Sequence, residues 1–148
     1  MAIPTLPRDF KKFLKLLGSH GVEYLLVGGY AVSIHGYVRA TNNLDVWVRV
    51  SVDNARAIDG ALREFGFAGA SLSPDLFLAP DNVIRMGMPP MRLEILTSIS
   101  GVQFDECYAE REMVDELLLP VISLSRLREN KAASGRAKDL ADLENLPE

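Results

Sequence analysis

Three features of the chain predict an α/β protein. A β-rich run, "VEYLLVGG", ends in two glycines and leads into "YAVSIHG", a segment of helical length bounded by Gly36. A second run, "LDVWVRV", alternates strictly, with Leu44, Val46, Val48 and Val50 on one side and Asp45, Trp47 and Arg49 on the other. Segments of helical period stand before and after these runs. The 148 residues suit a single domain, 1–148, and a domain of that size buries about two-thirds of the surface its unfolded chain exposes.

The elements follow in order. Phe10, Phe13, Leu14, Leu16 and Leu17 recur at helical spacing with Lys11, Lys12 and Lys15 between them, which predicts a first helix ended by Gly18 to Gly21. "VEYLLVGG" and its sequel predict strand, glycine turn and short helix. After the "LDVWVRV" strand, Ser51 is placed to cap a second full helix, whose apolar stripe is Ala55, Ile58, Ala61, Leu62 and Phe65 before Gly66. Val83 to Met86 and Met91 to Thr97 are separated by Gly87 and two prolines, and predict a hairpin. "VISLSRLRENKAASGRAKDLADLENL" predicts two short helices interrupted at Ser134 and Gly135.

Composition narrows the function. A net charge of −4 and a sequence pI near 5.2 provide no global field to draw the protein to nucleic acid, so any polyanion is bound locally. The single Cys107 excludes an internal disulfide and a zinc knuckle. No run approaches the roughly 20 apolar residues of a membrane span, and the N-terminal stretch lacks the apolar core of a signal peptide. A cytoplasmic protein without a membrane partner is expected.

The candidate chemistry lies in a glycine pair at a strand end, an acid on the next strand and an acid on a later one. Gly28 and Gly29 allow backbone N–H groups to approach phosphate oxygens with no Cβ in the way. Carboxylates on adjacent strands, Asp45 and Glu94, suit Mg²⁺, a hard cation that takes few protein oxygens alongside substrate phosphates. Each residue also has a plainer role. The glycines can form a tight turn, Asp45 can face water on an edge strand, and Glu94 can pair with Arg92 two residues before it on the same face. His35 packs or caps, since no second His is near, and Trp47 packs. Lys131, Arg136 and Lys138 can form a solvated basic face, with Lys138 and Asp142 as an i,i+4 pair.

Gly28-Gly29, then Arg39, Thr41, Asn43 and Asp45 in "RATNNLDV", then Glu94, resembles the minimal nucleotidyltransferase fold of the DNA polymerase beta superfamily, particularly the small bacterial proteins grouped with abortive-infection nucleotidyltransferase toxins. The resemblance runs from about Val22 to Leu143, and "NKAASGRAKDLADL" resembles that family's late Lys/Arg-Asp segment. It implies a mixed twisted sheet with helices packed mainly on one face. It further implies Mg²⁺ or Mn²⁺ held by Asp45, Glu94 and Asn43, and a nucleoside triphosphate over Gly28, Gly29, Arg39, Thr41, Lys131, Arg136 and Lys138. Transfer of a nucleoside monophosphate to RNA, a protein or a small molecule is the implied activity, and many relatives work in toxin–antitoxin pairs, with an antitoxin as partner. Where that family has Asp-x-Asp, this chain has Asn43-Leu44-Asp45. Asparagine offers a metal one neutral oxygen in place of a carboxylate, so an active transferase, a degenerate domain that binds without turnover, and an incidental structural pattern remain as three expectations.

Overall fold

The computed structural model describes residues 6–67, 69, 71–89, 91–115 and 117–148. Helix α1, Arg8–Ser19, buries Phe10, Phe13, Leu14 and Leu17. The Phe13 ring meets Phe65 edge-on at 5.4 Å, which fixes α1 against α3, Val52–Phe65. The Ser51 hydroxyl accepts the N–H of Asn54 at 3.2 Å, the expected N-cap, and Gly66 at φ +116° closes the helix. Asn54 also donates to the carbonyls of Glu23 and Arg49 and accepts the N–H of Glu23. One buried side chain thus ties the helix to two adjacent strand ends.

Among the described residues, six strands form one sheet in the order β3-β4-β2-β1-β6-β5. Strand β1 is Tyr24–Val27, β2 Asn43–Val48, β3 Val83–Met86, β4 Arg92–Leu96, β5 Glu112–Val114 and β6 Leu119–Val121. β1 and β2 are antiparallel, as are β3 with β4 and β5 with β6, while β2 with β4 and β1 with β6 are parallel. The sheet is mixed, as expected, and Val83–Met86 with Arg92–Leu96 forms the predicted hairpin. Leu44, Val46 and Val48 are buried in the core, as their alternation requires.

Two corrections follow. Gly28 and Gly29 do not form a separate turn. Helix α2, Gly28–Ile34, begins at Gly28 directly after β1, and the positive φ of Gly28, +68°, makes the change of direction in one residue. The stretch 101–121 contains three elements that its composition conceals: α4, Phe104–Ala109, and the short strands β5 and β6. Val121 therefore closes a strand and does not open a helix. The last two helices are α5, Leu124–Ser134, and α6, Ala137–Asn145, broken where expected by Gly135 at φ +65°. His35 is buried, and its Nε2 donates to the carbonyl of Ile122 at 2.7 Å, so it packs. Trp47 packs too, edge-on to Phe104 at 5.1 Å.

Candidate functional site

Parallel pairing of β2 with β4 sets Asp45 directly beside Glu94 and Asn43 directly beside Arg92. In-register neighbours on parallel strands project from the same face. Antiparallel pairing of β1 with β2 brings Val27, and so the Gly28 corner, alongside Asp45. A Cβ at Gly28 would overlap the Asp45 carboxyl group, so glycine here is required by the acid as much as by the backbone.

Val27, Gly28, Asp45 and Glu94 form one wall of a cleft of about 410 Å³. The cleft gathers eight of the ten sequence candidates: Gly28, Gly29, Arg39, Asp45, Glu94, Lys131, Arg136 and Lys138. It leaves out Thr41 and Asn43. Thr41 supports the glycine corner instead: a Cβ at Gly29 would lie 2.7 Å from its hydroxyl oxygen. The amide oxygen of Asn43 accepts the Nε–H of Arg92 at 3.0 Å.

The two acids have divergent character. Burial first, then the hydrogen bond to Glu94 and its negative charge, push Asp45 up to about 7 from an ordinary 3.8. Burial also acts to raise Glu94. It is overcome by the hydrogen bond from Asp45 and by the guanidinium groups of Arg85 and Arg92, so Glu94 lies below the usual range. Arg85 donates to Glu94 Oε1 at 2.9 Å, and Arg92 comes within 3.4 Å of the same oxygen. Asp45 thus keeps its proton to higher pH than an ordinary aspartate, while Glu94 ionises more readily than an ordinary glutamate. Asp45 Oδ1 is buried with no hydrogen-bond partner.

Across the cleft, α6 inverts the usual helix pattern by burying two acids, Asp139 and Asp142, and exposing Leu140. Asp142 accepts a forked pair of hydrogen bonds from Arg39, at 2.7 and 2.8 Å, and lies 3.1 Å from Lys131 Nζ. Asp139 takes Lys131 at 3.2 Å, the Ser134 hydroxyl at 2.7 Å and Arg136 at 2.7 Å. Burial would raise both acids, but these cations, joined at Asp139 by the Ser134 hydroxyl, hold both low. Lys131 is therefore a buried ion-pair centre, contrary to a solvated basic face. Lys138 does not pair with Asp142 as its i,i+4 spacing suggests. It is exposed and, among the described residues, forms no ion pair, and its charge acts on Asp45.

The donor set suits one divalent ion. Asp45 and Glu94 are hydrogen-bonded neighbours, Oδ1 of Asp45 lacks a partner, and Mg²⁺ commonly binds through one or two carboxylates plus phosphates. Among the described residues no group of three or more His, Cys, Asp or Glu could hold a metal, so the two carboxylates would need substrate phosphates to complete the coordination of any ion. Sequence reasoning missed Arg85, Asp139 and the true partners of Asp142. Comparison of the chain with protein-family models and with curated proteins gives no match. No helix among the described residues is long and apolar enough to cross a membrane.

Proposed function

We propose that this chain is a nucleotidyltransferase-type domain that binds a nucleoside triphosphate with Mg²⁺ or Mn²⁺ in the cleft and transfers its nucleoside monophosphate to an acceptor. The observation that carries this is the in-register pairing of Asp45 with Glu94 beside the Gly28 corner, facing Arg136 and Lys138 across one cleft. Asp45 and Glu94 would hold the metal ion, which when bound supplies positive charge to the reacting phosphate. Lys138 and Arg136 are the cations best placed to meet phosphate oxygens: Lys138 is exposed, and Arg136 stays largely exposed despite its pair with Asp139, whereas Arg39 and Lys131 are held against Asp142 with little exposure. The absence of a Cβ at Gly28 leaves room for the Asp45 carboxyl and for an approaching anion.

Binding without transfer is a second reading, favoured by one observation: Arg85 and Arg92 already neutralise Glu94. Calorimetric titration with each nucleoside triphosphate, with and without Mg²⁺ or Mn²⁺, followed by incorporation of α-labelled nucleotide into RNA or protein, separates the two. Metal-dependent binding with incorporation supports transfer, and metal-dependent binding alone supports the second reading. Lack of nucleotide binding in wild type under all these conditions would remove both.

A further inference from the structure

We propose that Arg92 is a specificity-determining residue of this centre: its guanidinium, fixed between Asn43 and Glu94, is a built-in cation for which a neutral acceptor at 43 suffices, and it restricts the site to a single divalent ion. The metal part of this inference rests on the function proposed above. The residue part rests on geometry alone.

Asn43 and Arg92 are direct neighbours on parallel strands, one pair along from Asp45 and Glu94. The Nε–H of Arg92 donates to Asn43 Oδ1 at 3.0 Å while its terminal nitrogen stands 3.4 Å from Glu94 Oε1. One planar fork thus spans both strands, a geometry that lysine cannot reproduce. At position 43 this fork requires an acceptor oxygen, which need carry no charge because Glu94 already provides a negative partner. Asparagine meets that requirement. Thr41 holds Asn43 from behind, its hydroxyl donating to the Asn43 carbonyl at 3.2 Å.

A carboxylate introduced at position 43 would meet Arg92 before it met a metal ion. A charge-assisted pair would form there, and a second divalent ion would have to approach against the charges of Arg92 and Arg85. Removal of Arg92 should free the same carboxylate for metal. The substitution at 43 and the cation at 92 are thus read as one device.

Four proteins test this: wild type, N43D, R92L and N43D/R92L, with R92Q in place of R92L if the latter does not fold. Metal-free thermal melts come first. N43D should melt above wild type by roughly 2–4 °C, whereas N43D/R92L should melt below R92L, because its new carboxylate then faces Asp45 and Glu94 uncompensated. Bound Mn²⁺, counted by electron paramagnetic resonance, should be one ion in wild type and N43D and two only in the double variant. A fall in melting temperature for N43D in both backgrounds, or two ions in N43D alone, overturns the proposal. Absence of Mn²⁺ binding in all four would overturn the metal assignment of the preceding subsection and the single-ion clause here. The inversion of the melting shift would still decide whether Arg92 dictates position 43.

Discussion

Asp45 is the residue on which most depends, and its proton gives it a signature. Its folded value, about 7, stands above its ordinary 3.8, so the folded chain binds that proton more tightly than the unfolded chain. Stability from this group is complete in acid and is lost as pH rises through about 7. Glu94 works in the opposite sense, since its value is lowered and its contribution disappears only on acidification below its ordinary 4.5. From about pH 5 to 8, then, Asp45 is the member of the pair that changes charge. Asp45→Asn cannot ionise but can still donate to Glu94. Without metal, wild type should come closest to this variant near pH 4 and fall progressively below it, by on the order of 4 kcal/mol, as pH rises through about 7 to 8. Parallel melting curves across that range would contradict the proton retained on Asp45. Both acids could be found in the sequence because strand alternation alone put them on defined faces, whereas Arg85 could not. Its place opposite Glu94 depends on hairpin register, which the Gly87 and proline connection does not disclose.

At the scale of elements, the strand β1 to helix α2 corner carries a constraint beyond phosphate access. Gly28 sits at φ +68° with Asp45 where its Cβ would be, and Gly29 is packed on Thr41. A bulky residue at 29 therefore collides with the protein's own side chain, and loss of nucleotide binding in Gly29→Val would not report on phosphate contact. Gly28→Ala is the more informative change. It adds backbone strain of order 1 kcal/mol or more and displaces the Asp45 carboxyl. Its melting temperature should drop, and its Mn²⁺ affinity should weaken by more than its stability loss explains, as a titration of the folded variant would measure. Unchanged Mn²⁺ affinity in folded Gly28→Ala would argue that the corner does not position Asp45. Long periodic elements such as α1 and α3 were legible from their apolar stripes. β5 and β6, three residues each, were not, because a strand that short has no period to read, and Leu119 to Ile122 is apolar throughout.

In the whole molecule, the cleft is assembled from distant parts of the chain, and α6 joins them through charge. Asp142 links Arg39, which follows α2, to Lys131 of α5, and Asp139 holds Lys131, Ser134 and Arg136. Helical spacing in the sequence brought out Lys131, Lys138 and Asp142 but gave Asp142 an outward face, since buried carboxylates are uncommon unless paired and its partner Arg39 is 103 residues away. Lys131 is 5% exposed, so removing its counter-charges leaves a cation in a poorly solvated position. Asp142→Ala should cost about 3–5 kcal/mol, and Asp139→Ala/Asp142→Ala together should abolish cooperative urea unfolding. Adding Lys131→Met to the double alanine variant removes the stranded charge while keeping an apolar side chain of similar length. It should restore a cooperative transition without restoring nucleotide affinity, because the orientation of Arg39 and Arg136 is not recovered. If Lys131→Met leaves the double variant unfolded, the cost lies in lost packing of α6 and the charge network is not what holds the cleft closed. If it restores nucleotide affinity together with folding, the cations of the cleft need no acid to aim them.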